Sequence, residues 1–246
     1  MLEPRDLVNR LEQAPEVPAS GEERFAGYGV MGLTFTSGHI LGLRRFPASS
    51  LGPGYTSVWH RNPEGRWNIY QNVPPEQACP RYFGNAVAEA RVQDITIEWP
   101  GLHDFRVSIE SDCSLRWSLS LASIPTTRFM NAIGGATPGA LWHQPLFLKL
   151  MGGIASVALG AGHLALAREA PNGQRFIANP RLIWTVSDSA ASLNSQDLGQ
   201  PGPLPVQAQL GDFWIPQRGL FVIGSAFMEN FDPARHQLTT CQGPKY

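Results

Sequence analysis

The turn Asn62-Pro63-Glu64-Gly65 constrains the fold of this chain more than any other feature. Proline at the second position presets the φ of a type I turn, and glycine at the fourth supplies the positive φ of a G1 bulge. The strands on either side must then pair in one register. That register sets Trp59 opposite Ile69, Arg61 opposite Trp67, Val58 opposite Tyr70 and His60 opposite Asn68. Side chains alternate between faces along a strand, so the hairpin 55–71 presents two different surfaces. Tyr55, Trp59, Trp67 and Ile69 make one face mostly apolar, and Val58, His60, Asn68 and Tyr70 make the other amphipathic.

Other segments follow the same grammar. Phe105, Val107 and Ile109 alternate with polar residues, as do Leu115, Trp117, Leu119 and Leu121 beyond a turn at 111–114. The apolar faces of this pair coincide when paired numbers sum to an even value, and one such register sets Glu110 opposite Arg116. Ala170-Pro171-Asn172-Gly173 repeats the first turn and sets Glu169 opposite Arg175. Further strands are expected at 92–99, 182–187, 206–210 and 219–228. The last is apolar on both faces, as a strand covered on both sides is. Five glycines punctuate 25–43, which suits bent or bulged strands.

Two segments depart from alternation. Residues 4–13 read as a short helix with Leu7, Val8 and Leu11 on one face. Between 126 and 160, Leu146, Phe147, Leu150, Met151, Ile154 and Val157 follow helical spacing, which predicts one or two helices broken by Gly134-Gly135 and Pro145. The expected fold is mainly β: an antiparallel lipocalin-like barrel or strongly curved sheet with a helical insertion near 126–160. We read 1–246 as a single domain. It comprises a helix and linker over 1–20, strand blocks over 25–122 and 161–230 either side of the insertion, and a tail over 231–246.

Composition removes several classes of function. Net charge is −1, with Lys+Arg 19 against Asp+Glu 20, so no basic excess exists to neutralise nucleic-acid phosphates. Cys79, Cys113 and Cys241 are far apart and odd in number, without metal-site spacing, which predicts reduced thiols. The first residues carry acids and prolines and no apolar signal core, so a cytoplasmic location is expected. No phosphate-loop, zincin, nucleophile-elbow or dinucleotide motif is present, and no cofactor or metal is expected. The apolar run 146–166 is short for a membrane span and leaves open a peripheral membrane contact.

Candidate site residues come from the hairpin and from isolated polar groups in apolar surroundings. His60, Asn68 and Tyr70 gather a base, an amide and a phenol on one face; the alternative is the polar face of an ordinary sheet. Asp212, flanked by Phe213 and Trp214, would become a general acid if buried; the alternative is a turn cap. Lys149 among leucines is either a desolvated nucleophile or a snorkelling lysine. Arg81 and Tyr82 could serve an anionic headgroup or anchor a loop. Tyr55, Trp59, Trp67 and Trp214 are the aromatic groups expected to hold a ligand.

The stretch Val58-Trp59-His60-Arg61-Asn62-Pro63-Glu64-Gly65-Arg66-Trp67, with the strand 219–228, resembles the lipocalin-like (calycin) barrels of the carotenoid hydratase and AttH type. That group carries two barrels in a longer chain, and 246 residues leave room for one large barrel or two truncated ones. The resemblance implies a hydrophobic ligand and transfers no catalytic residue. Three functions follow as expectations. The first is binding of an isoprenoid- or lipid-like molecule in the barrel. The second is cofactor-independent hydration, isomerisation or cyclisation of such a molecule by His60, Tyr70 and Asp212. The third is an interaction protein that docks through the helical insertion. Oligomeric state stays open.

Overall fold

The computed structural model describes residues 3–111 and 113–238. Cys241 and Asp112 lie outside the described residues. In chain order the elements are α1 (Pro4–Gln13), β1 (Glu23–Thr34), β2 (Ile40–Ser49), β3 (Tyr55–Arg61), β4 (Trp67–Gln71), α2 (Pro80–Phe83), β5 (Glu89–Val92), β6 (Ile95–Glu98), β7 (Asp104–Glu110) and β8 (Ser114–Ala122). Then come α3 (Pro125–Ala136), α4 (Pro145–Leu159), β9 (Ala167–Glu169), β10 (Arg175–Leu193), β11 (Gln196–Asp197), β12 (Gln209–Leu210), β13 (Phe213–Trp214) and β14 (Leu220–Met228). No helix among the described residues is long and apolar enough to cross a membrane.

The β3–β4 hairpin has the expected register, with Trp59 opposite Ile69 and His60 opposite Asn68. Gly65 takes a φ of 88° and Gly173 a φ of 93°, as both turns require. Glu169 faces Arg175. The β7–β8 pair takes another of the even-sum registers: Glu110 faces Ser114, and Arg116 faces Ser108. Parity is kept, so the apolar faces still coincide. The shorter turn draws Cys113 into the core.

Most strands join one sheet in the order β5-β4-β3-β2-β1-β14-β10-β8-β7-β6. The sheet is mixed, because β5 lies parallel to β4. The reason is the connection 72–88, which is long enough to return the chain to the starting end of β4. Of the strand expected at 92–99, residues 95–98 form β6, while Val92 ends β5 at the opposite edge of the sheet. Only Gln93 and Asp94 separate β5 from β6. Three Cα steps reach at most about 11 Å, so the sheet must curl until its ends nearly meet. The hairpin arm that follows Gly173 and the strand expected at 182–187 are one strand, β10, with ladder shifts between Pro180 and Leu182 and between Val186 and Asp188. A proline is tolerated there because the bulge needs no N–H from it.

One face of the curl is filled by its own side chains. Leu43, Val58, Val107, Trp117, Trp184 and Phe221 come from strands all around the sheet and form a single buried cluster. Val8 of α1 joins it from one end, with Leu7 and Leu11 packed alongside. Arg45 ties α1 down through a two-pronged pair with Glu12, at 2.9 and 2.7 Å. The interior expected to hold a ligand is therefore a packed core.

The helices cover the other face. α3 and α4 fall within the expected insertion, each with proline in its first turn. Gly134-Gly135 lie inside α3 and do not break it. A Cβ on Gly134 would sit 2.7 Å from the Arg181 carbonyl, so glycine serves here as the close contact between helix and sheet. α4 ends on Gly160 with a φ of 59°.

Candidate functional site

Alternation along the central strands builds the floor of a cavity outside the curl. In β14, Phe221 and Ile223 enter the packed core while Val222, Gly224 and Ala226 face the other way and line a cavity of about 180 Å³. In β3 the same alternation turns Tyr55 and Trp59 toward that cavity and Val58 toward the core. The indole face of the β3–β4 hairpin is thus the cavity face. Ala155 and Leu159 of α4 line the cavity from above, and Phe213 and Trp214 close one side. Gly27 and Gly224 face each other across the β1–β14 ladder and both line the cavity.

A polar cluster holds α2 as a side wall. Glu23 of β1 pairs with Arg81 at 2.6 Å, accepts from the Tyr82 hydroxyl at 2.6 Å and accepts from Gln174 Nε2 at 3.3 Å. Burial, and then the Glu23 charge, hold the Tyr82 phenol well above its ordinary value, so it stays a donor. The Tyr82 ring lines the cavity, and Phe83 follows it in the same wall.

Arg44 is the charged residue of the lining. It is 6% exposed. Its strand carries Ile40, Gly42, Arg44 and Phe46 on one face, and Gly42 sits opposite Trp59. The guanidinium lies 4.7 Å from the Trp59 ring centre and 5.7 Å from that of Phe213. Nη1 donates to Val30 O at 2.5 Å and Leu43 O at 2.9 Å, and Nη2 donates to Met31 O at 3.0 Å. A register shift between Val30 and Leu33 frees carbonyls of this stretch from the ladder, and Arg44 occupies them. Burial pulls the guanidinium down to about 10, so it remains a cation at neutral pH. Nearby, the Tyr55 hydroxyl lies 3.6 Å from Cys79 Sγ, and burial holds that phenol well above its ordinary value.

The residues expected from sequence divide between two faces. Tyr55, Trp59, Tyr82 and Trp214 line the cavity; Trp67, Asn68 and Arg81 do not. Trp67 packs edge-on against Trp59 at 6.5 Å and donates its Nε1 to Gln209 O, so it supports the lining from behind. Asn68 faces His60 across the ladder. His60 and Tyr70 are buried but belong to the inner face of the curl. His60 contacts His39, with His39 Nδ1 3.0 Å from His60 Nε2. Burial first, then the charge of His39, push His60 down to about 4. Asp212 is exposed in the turn between β12 and β13, contrary to the burial its neighbours suggested. A two-residue turn projects its middle into solvent even when its flanks are aromatic. The three residues considered for acid/base chemistry therefore do not converge. Lys149 is exposed on α4 and is no desolvated nucleophile. Among the described residues no group of His, Cys, Asp or Glu side chains is gathered to hold a metal ion.

Sequence reasoning missed Arg44, Cys79, Phe213 and the α4 residues of the lining. A signal for Arg44 was present: its position alternates with Ile40 and Phe46, so an arginine stands in an apolar row.

No family model and no curated protein matches the sequence. The calycin resemblance thus has no family match behind it. Among solved structures, an acetoacetate decarboxylase from Legionella pneumophila subsp. pneumophila str. Philadelphia 1 is similar over 92% of this chain and 92% of its own, with 10% identity and a TM-score of 0.35. A likeness at that level says nothing of this chain's chemistry.

Proposed function

We propose that this chain binds a lipophilic small molecule in the cavity between the outer face of the sheet and α4. The observation that carries the reading is the cavity itself, about 180 Å³ with Phe25, Trp59, Phe176, Leu159 and Met228 in its lining. Apolar cavities of about 150 Å³ stay dry and accept small hydrocarbons, because water finds too few partners there. A ligand site of this type has an apolar wall and a few polar groups that orient the guest. Arg44 and Asn179 are such groups here, and Asn179 Oδ1 is buried without a hydrogen-bond partner. The phenols Tyr28, Tyr55 and Tyr82 in the lining are all held above their ordinary values. Their hydroxyls already contact Glu12, Cys79 and Glu23, so what they offer a guest is mainly ring surface.

The test fills the cavity. Ala226 faces Ala178 across the ladder, and both line the cavity. Ala226→Trp should abolish binding of 1-decanol and decanoic acid, read by calorimetry, while the melting transition stays cooperative. A smaller Ala178→Leu change should weaken the same binding. If the unaltered protein binds neither compound and yields no lipophilic molecule on solvent extraction, the reading is wrong.

A further inference from the structure

Three partly buried arginine head groups have an evident counter-charge or dipole. Arg45 has Glu12, and Arg81 has Glu23. Arg181 donates to Gly134 O and Thr137 O, at the carbonyl end of α3, where the helix dipole favours a cation. Arg44 is more buried than these and has no carboxylate partner among the described residues. Its hydrogen bonds all go to backbone carbonyls. A guanidinium has five N–H donors, and three such bonds leave two donors without an acceptor among the described residues.

A structural role accounts for part of this. Arg44 satisfies the carbonyls of Val30 and Met31 beside the β1 irregularity and stacks on Trp59. A neutral amide could satisfy those carbonyls equally well. What the structural role leaves unexplained is the charge. A buried cation costs several kcal/mol unless an anion meets it, and carbonyl dipoles and ring faces offset only part of that.

Resting on the reading of the cavity as a lipophile site, we infer that its ligand is an amphiphile with a single carboxylate, which the Arg44 guanidinium receives as its missing counter-ion. The guanidinium lies over the Trp59 ring, and its two open donors, on Nε and Nη2, equal in number the two oxygens of one carboxylate. The alkyl or isoprenoid body then lies against Tyr55, Leu159, Phe176 and Met228. A phosphate monoester fits less well. It would bring a second negative charge into a lining that holds one cation, and the excess charge would remain buried.

Decanoic acid and 1-decanol share a chain and differ in head group, so their comparison at neutral pH isolates the charge. Calorimetry should show the acid binding about 10- to 100-fold more tightly, the range for a hydrogen bond to a charged group out of water. In Arg44→Gln the ratio of acid to decanol affinity should fall toward one, whatever becomes of the two affinities themselves. Arg44→Lys keeps the charge without the fork and should retain part of the preference. In the unaltered protein the preference should fade as pH falls through the acid's own carboxyl pKa. That measurement needs no variant, so it stands even if Arg44→Gln does not fold. Equal binding of acid and alcohol by the unaltered protein would overturn the inference and leave the lipophile site intact. Preference undiminished in Arg44→Gln would also overturn it. Binding of neither compound overturns the inference, and if solvent extraction yields no lipophilic molecule either, the cavity reading falls with it.

Discussion

Arg44 and Arg45 are neighbours in one strand and project to opposite faces of the sheet. Arg45 meets Glu12 from a helix 33 positions away in sequence. Among the described residues Arg44 meets carbonyls and rings and no carboxylate. Alternation alone separates their faces, but nothing local says which of the two finds a carboxylate. His60 poses a similar question, and here pH gives a test. Its folded pKa is near 4, against an ordinary value of 6.5. Folding favours the neutral ring, so the unfolded chain binds the extra proton first. The stabilisation is complete above about pH 6.5 and is lost as pH falls through about 4. His39, also lowered by burial, contributes in the same direction, with Glu64 opposing. Urea unfolding at pH 7 and pH 4 should show His60→Asn losing less stability on acidification than the unaltered protein. The expected difference is on the order of 3 kcal/mol, from the linkage of a shift of this size. Equal acid sensitivity would mean that His60 titrates normally. That His60 would be buried beside a second histidine was not legible, because His39 lies 21 positions away, just before β2.

The elements were largely readable. Both Pro-x-Gly turns and their registers follow from contacts within a few positions, as do α1 and the two-faced β14. At β7–β8 the parity was readable and the choice among even-sum registers was not, because the local pattern does not reveal that Cys113 is buried. α4 is apolar on all sides, so its spacing did not say which stripe is buried. The structure buries Leu148, Met151, Gly152, Ala155 and Leu159 and leaves Leu146 and Val157 at 80% and 86% exposure. Gly152 lets the chain pass close by, since a Cβ there would sit 2.9 Å from Leu164 O. Two adjacent residues distinguish the stripes. Met151→Ala should cost about 2–4 kcal/mol in urea unfolding, as deletion of a buried side chain does. Leu150→Ala, at 60% exposure, should change stability by no more than about 0.5 kcal/mol. Comparable losses at both positions would mean that the outer stripe is covered in solution.

At the scale of the whole molecule, the curl of the sheet separates a filled interior from an outer cavity. Glycines at strand crossings permit that curl. A Cβ on Gly224 would fall 2.1 Å from Asn179 O, whereas one on Gly21 would meet nothing within 4 Å. Gly224→Ala should therefore force neighbouring strands apart and destabilise the fold by about 1–3 kcal/mol, as overpacking does. Gly21→Ala should leave unfolding nearly unchanged. A Gly224→Ala protein of undiminished stability would show that the central strands are less tightly apposed than this.

By itself the sequence determined the strand-rich class, the hairpin turns and their side-chain faces, and the helical character of α1 and α4. Turn chemistry and periodicity act over short separations and need no partner from elsewhere. Only the tertiary structure decided that the indole face looks onto a cavity, that the His60 face joins a packed core, and that Arg45 is paired while Arg44 is not. Those outcomes depend on how far the sheet curls and on residues distant in the chain, such as Glu12, Phe213 and Leu159. A strand's pattern states that it has two faces; the strands and helices that arrive against it decide what each face meets.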